Sequence, residues 1–231
     1  MQGYENNNIQ TNMRNVLFIL FLSMGMAAMA QDRLEPIREL TKEDGLHMTF
    51  YEQELWRLLN PKNAEWGVFR DIELMTEASL TYDAETHSLV FTEIDGILWG
   101  DVRDATTKRI DKGNTRWYKD LKRVKRSYKA PGTKSISLVI PDSIAEKLKT
   151  LWTAAVSTPA ENDLNILGGT TWTFFANGKK AKGKGRINDR GRVTRLSELA
   201  YNLIKTVKKQ DANLILQQEQ EIDELIAEFS E

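Results

Sequence analysis

The chain has 231 residues and a formal net charge of −1, a size that suits one domain with an appendage. It contains no cysteine, which excludes disulfides, thiolate metal sites, a lipid-modified cysteine and Cys–His catalysis. Two histidines, His47 and His87, are too few for a histidine-rich metal site.

The N-terminal stretch reads as an export signal. Residues 16–22, "VLFILFL", form an uninterrupted apolar run, no charge occurs between Asn15 and Ala30, and the stretch ends in Ala28-Met29-Ala30. A short apolar core closed by small residues spaced A-x-A predicts a secretory signal peptide over residues 1–30, cleaved after Ala30. A transmembrane anchor needs about 20 apolar residues, and this run has too few strongly apolar ones. Residues 1–12 carry Glu5 and no positive side chain, so Met13-Arg14 is the better start for such a signal. The mature chain is expected in the periplasm or outside the cell, without a lipid anchor and without a membrane span.

Residues 31–45 read as an irregular lead-in. The run 46–59, "LHMTFYEQELWRLL", predicts a helix ended by Asn60-Pro61. Residues 79–94, "SLTYDAETHSLVFTEI", predict a hairpin turning at Asp83–Thr86, with His87 a solvated polar residue beside the turn. Residues 97–102, 115–118 and 135–140 read as further strands. Ser143 and Glu146 have the spacing of a capping box, in which hydroxyl and carboxylate satisfy free amides at a helix start. Ile144, Leu148, Leu151, Trp152 and Ala155 then place one apolar face on that helix. After Gly168-Gly169, strand character resumes. Asn177-Gly178 predicts a two-residue hairpin turn, because a type I′ turn needs positive φ at both central positions. From Leu196 the apolar phase runs through Leu199, Leu203 and Val207 and on to Leu214, Ile222, Leu225 and Phe229. One helix of about 36 residues would span about 54 Å, too long for a compact domain, so it either projects or folds back near Asp211–Asn213. The expected class is α+β. An antiparallel sheet is covered on one face by the helices near 143–157 and 194–209, residues 46–209 form the domain, and 210–231 form an acidic helical tail that ends a long C-terminal helix.

Charge is laid out in blocks: −9 over residues 31–100, +8 over 101–134, −2 over 135–175, +9 over 176–209 and −7 over 210–231. Such blocks either steer partners or neutralise one another within the fold. The tail either screens the basic hairpin at high effective concentration or projects and self-associates through Leu214, Ile222, Leu225 and Phe229.

The basic blocks supply the candidate site. Gly178–Lys184 spells G-x-x-x-x-G-K, yet the hydroxyl that would bind Mg²⁺ is replaced by Gly185, and the glycines follow a hairpin turn rather than opening a helix. No nucleotide and no cofactor are therefore expected. The reading is a lysine-faced arm carrying Lys179, Lys180, Lys182, Lys184 and Arg186. Residues 116–129, "RWYKDLKRVKRSYK", interleave aromatics with cations through Arg116, Trp117, Tyr118, Lys122, Arg123, Lys125 and Arg126. In a cytosolic protein this would suggest nucleic acid, by phosphate contact and stacking. Export removes nucleic acid and leaves anionic polysaccharide, lipopolysaccharide headgroups or an acidic protein surface. The competing structural reading is an ordinary strand and loop whose aromatics pack inward under solvated lysines.

No G-x-S-x-G elbow is present. Glu73 with Glu77, or Glu93 with Asp95, are the pairs from which a carboxylate hydrolase of cell-wall or dietary glycans could draw its acid and base. The leading expectation is a non-enzymatic binding module for an anionic polymer or acidic partner surface, and the hydrolase is the alternative.

Tyr82-Asp83, Pro141-Asp142-Ser143 and Gly169-Thr170-Thr171-Trp172 with Phe174 together resemble a group of exported Bacteroidetes proteins, over residues 79–205. The pattern is a Y-D strand turn, a P-D-S helix start and a G-T-T-aromatic hairpin. Where that group shows a Trp-Ser-Pro-like stretch, this chain has Gly185-Arg186-Ile187. The resemblance implies an α+β fold and carries no activity or ligand.

Export with processing predicts that protein purified from its native host begins at Gln31 on N-terminal sequencing. A mature chain retaining residues 13–30 would identify the segment as an anchor instead.

Overall fold

The computed structural model describes residues 33–37, 45–72, 77–96, 98, 100–103, 128–160, 170–184 and 191–231. Seven strands form one sheet: β1 (Glu35–Pro36), β2 (Trp66–Ile72), β3 (Glu77–Asp83), β4 (Ser88–Asp95), β5 (Gly132–Val139), β6 (Thr170–Ala176) and β7 (Lys179–Lys184), in the order β1-β7-β6-β2-β3-β4-β5. Every pairing is antiparallel. The helices are α1 (Gly45–Leu59), α2 (Asp142–Ser157), α3 (Arg192–Lys209), α4 (Asn213–Leu216) and α5 (Glu219–Ser230). The class is α+β, as the patterning predicts.

The period-2 alternation of the strands sends side chains to two faces. Trp66, Val68, Leu80, Leu89, Phe91, Trp172 and Phe174 enter the larger core, where Leu148, Leu151 and Trp152 of α2 and Leu196, Leu199, Leu203 and Val207 of α3 meet them. These helix residues are the apolar stripes read from the sequence. On the opposite face Phe69, Ile94 and Phe175 pack with Phe50, Tyr51, Leu58 and Leu59 of α1. The sheet is therefore covered from both sides, with α1 adding a second layer to the expected one.

Both hairpins form where turn chemistry places them. Asn177 and Gly178 have φ of 51° and 75°, and Ala176 pairs directly with Lys179, so the turn is the two-residue one expected. In the other hairpin His87 has φ 51°, and its Nδ1 lies 2.7 Å from Asp142 Oδ1 at an exposed position.

Two local readings are corrected. Residues 98 and 100–103, expected in a strand, are helical: Leu98 and Val102, four apart, are both fully buried beneath α1, so the i,i+4 spacing is the one the core selects. The capping box at Ser143 and Glu146 does not form. Pro141 occupies the N-cap with φ −60° and ψ 139° and no side-chain cap, and the helix opens at Asp142, ahead of Ser143. The fixed proline φ pre-sets the start, and Asp142 in the first turn complements the helix dipole. The strand expected at 115–118 lies outside the described residues.

The long C-terminal helix folds back. Gln210 adopts φ 57°, ending α3, and α4 and α5 return to pack on α2 and α3. Ile222, Leu225 and Phe229 join the larger core, so of the two arrangements read from the sequence the chain takes the folded-back one. The acidic tail meets Arg195, which pairs with Glu221 and Glu224 at 2.8 Å each and with Glu228. It also meets Lys147, which lies 2.9 Å from Glu219 and 2.7 Å from Asp223. Its partners among the described residues are thus on α2 and α3, and none is a β7 lysine. Among the described residues no helix is long and apolar enough to cross a membrane.

A Cβ on Gly67 would stand 2.6 Å from the Leu80 carbonyl oxygen and 2.9 Å from Phe175 Cζ. Backbone and a packed ring cannot both yield, so Gly67→Ala should destabilise by about 1–3 kcal/mol in denaturant unfolding. A change within about 0.5 kcal/mol, the range of an uncoupled surface substitution, would contradict this packing.

Candidate functional site

The β6–β7 hairpin presents the lysines singled out from the sequence. Along β7, Ala181 and Gly183 are buried, whereas Lys180, Lys182 and Lys184 point to the other face and Lys179 is exposed at the turn. The alternation confirms a strand where a nucleotide-binding loop would need a turn opening a helix. Arg186 lies outside the described residues, as do Arg116, Trp117, Tyr118, Lys122, Arg123, Lys125 and Arg126.

The lysine face is partly neutralised within the fold. Lys180 Nζ lies 2.8 Å from Glu52 Oε1 on α1 and 5.6 Å from the centroid of the Trp56 ring. Lys182 Nζ is 3.6 Å from Glu35 Oε2 on β1. Lys179 has no carboxylate partner among the described residues. Trp56, one turn beyond Glu52 on α1, is held against Phe69 and Phe175 at ring separations of 4.5 and 5.0 Å. Trp56 and Phe175 floor a groove of ≈ 510 Å³ whose rim carries Glu65, Asn177, Lys179 and Lys180. Glu52 and Trp56 were not among the residues read as a site. Their four-residue spacing places them on one helix face, but nothing local says that this face meets β7.

A second groove of ≈ 590 Å³ shares Ala64 and Glu65 with the first. It is lined by Lys62, Trp66, Tyr82, Asp83, Glu85, Glu146 and Lys149. Trp66 and Tyr82 stack with centroids 5.2 Å apart and planes 11° apart. Lys149 pairs with Glu65 at 2.9 Å, and Lys62 pairs with Asp83. The two grooves flank Glu65 from the two faces of the sheet, and the second carries the carboxylates of Glu65, Asp83, Glu85 and Glu146 against two lysines.

The carboxylates weighed for hydrolysis are placed otherwise. Glu93 lies 3.8 Å from Lys208 and Asp95 lies 3.2 Å from Lys134. Glu77 is fully buried, directly opposite Asp71 in the β2–β3 ladder. The Tyr51 hydroxyl donates toward this pair, 3.2 Å from Glu77 Oε1 and 3.5 Å from Asp71 Oδ2. Burial, reinforced by these two carboxylates, pushes the Tyr51 phenol far above its ordinary range, so it stays a donor. Glu73 lies outside the described residues. Among the described residues no group of three or more potential ligands stands together for a metal.

Comparison with protein-family models, with curated proteins and with solved structures finds no match to this chain.

The hydrogen bond from Lys62 holds the Asp83 carboxyl below the ordinary aspartate range. A carboxyl so depressed adds stability that is complete above its unfolded value and lost as pH falls through the folded one. Asp83→Asn should therefore flatten the decline of melting temperature between about pH 5 and pH 2. An acid limb parallel to that of the parent protein would show that the pair contributes nothing.

Proposed function

We propose that the protein is an exported, non-enzymatic binding module that holds an anionic polysaccharide in the Trp56 groove at the β6–β7 hairpin. The observation that carries this reading is the Trp56 groove, where Lys179 stands exposed and Lys180 lies over the indole. An aromatic floor offers a flat apolar face to the C–H side of a sugar ring. A neighbouring ammonium suits the carboxylate or sulfate that an acidic sugar carries, and the contact weakens with salt because it is solvent-facing. The sequence signature of export and the pairing of Glu93 and Asp95 with lysines support a binding role over hydrolysis.

The test is titration of the full chain with a soluble polyuronate, with a neutral glucan as control, followed by tryptophan fluorescence. Saturable change is expected with the polyuronate alone. It should weaken with added salt and fall about tenfold in a Lys179→Ala/Lys180→Ala variant, as expected for two lost charged contacts. Equal response to both polymers, no saturable response, or binding untouched in the double variant would each overturn the reading.

A further inference from the structure

The sheet has a second edge, on the side away from the hairpin, and no described strand pairs with its outer side. β5 is the last strand in the order and runs for eight residues. The Ile140 N–H donates to the His87 carbonyl at 3.0 Å, continuing the β4–β5 register. Antiparallel ladders alternate inward and outward pairs. Gly132, Lys134, Ile136 and Leu138 therefore turn their backbone groups to β4, and Thr133, Ser135, Ser137 and Val139 turn theirs outward. Of these outward groups, the Ser137 carbonyl accepts from Gln210 Nε2 at 3.0 Å. The others have no partner among the described residues. Exposed edges are ordinarily blunted by proline, several charges, a bulge or a covering element. β5 has one lysine, unbroken register, and apolar side chains that are 41% exposed at Ile136 and 65% at Val139.

The charges beside this edge identify what it fits. Lys208 on α3 sits 4.3 Å over the ring of Phe91, the residue opposite Ile136 in the ladder. Lys205, on the same stripe of α3, lies 4.3 Å over the half-exposed Tyr201 ring. Lys209 is exposed in the last turn, and neither it nor Lys205 has a carboxylate partner among the described residues. Lys134 and Lys208 pair with Asp95 and Glu93 beside the edge, and Lys205 and Lys209 add two cations, against Asp211, at the end of α3 that reaches the edge through Gln210. A second copy paired through the same edge would set these cations against themselves. We infer that the outer edge of β5 is a docking strand for an extended acidic segment of a partner protein, which adds to the sheet as a further strand. Main-chain hydrogen bonds to Thr133 and Ser135 supply affinity, and alternate side chains supply selection. Acidic residues of the segment face the lysines, and an apolar one covers Ile136. This site is separate from the Trp56 groove, so neither assignment depends on the other.

The experiment uses the full chain and a fluorescein-labelled peptide of alternating valine and glutamate, read by fluorescence anisotropy at low salt. The same peptide with lysine replacing glutamate is the control. Saturable binding of the glutamate peptide alone is expected. Ser135→Pro removes one outward N–H without breaking the β4 ladder and should weaken binding about tenfold or more. Should that variant fail to fold by circular dichroism, Lys205→Glu/Lys209→Glu, at two exposed positions, decides the matter with a comparable expected loss. The inference is overturned if the glutamate peptide does not bind, if both peptides bind alike, or if folded variants bind as the parent does. It is also overturned if sedimentation shows a dimer abolished by Ser135→Pro, for the edge then pairs with a second copy.

Discussion

The left-handed backbone at Gln210 is the constraint on which the return of the C-terminal segment depends. A non-glycine residue at φ 57° needs compensation. Gln210 has it in three contacts: its N–H donates to the Val207 carbonyl at 3.1 Å, and its side chain donates to Val207 O at 2.7 Å and Ser137 O at 3.0 Å. The turn stops α3 where a continuous helix would have carried its apolar stripe past the edge of the domain. Instead Ile222, Leu225 and Phe229 re-enter the core beside α2 and α3. The same amide that secures the turn covers one carbonyl of the β5 edge, so helix termination and partial protection of the sheet come from one side chain.

Folding back also settles most of the charge pattern. Five of the tail's seven carboxylates lie against Arg195 and Lys147, and Arg192 donates to the Glu228 carbonyl at 2.6 Å while covering the Phe229 ring. Exposed ion pairs are each worth about 0–1 kcal/mol, whereas burying a large apolar side chain is worth about 1.5–3 kcal/mol. Packing therefore holds the tail, and the charges decide which surface it prefers. Among the described residues, Lys179 at the hairpin tip and Lys205 and Lys209 on α3 are cations without a carboxylate partner. These two places lie on opposite sides of the sheet, which separates the two binding roles in space.

Much of the framework was legible because it rests on short-range pattern. The stripe Ile144, Leu148, Leu151, Trp152 is periodic over several turns, and Asn177-Gly178 leaves the backbone few alternatives. The failures also have physical causes. Leu98 and Val102 sit in a run too short to separate a buried strand from a buried helical turn. Ser143 has cap chemistry, but a proline two residues earlier imposes the helix start before the hydroxyl can act. The candidate site was half legible: alternation on β7 revealed its lysines, while Glu52 and Trp56, more than a hundred residues away in sequence, carried no local sign of meeting them.

Sequence alone determined the signal-like N-terminus, the absence of thiol chemistry, the α+β class, the hairpin turns and the blocks of charge. Each follows from composition or from periodicity within a few turns of chain. Only the tertiary structure decided that the tail returns, that α1 covers the second face, and that Lys180 meets Glu52 and Trp56. Among the described residues it also decided which cations lack a carboxylate partner and which strand forms the second edge of the sheet. These outcomes depend on contacts between distant segments, and their free energies come from desolvation and packing that no local window contains.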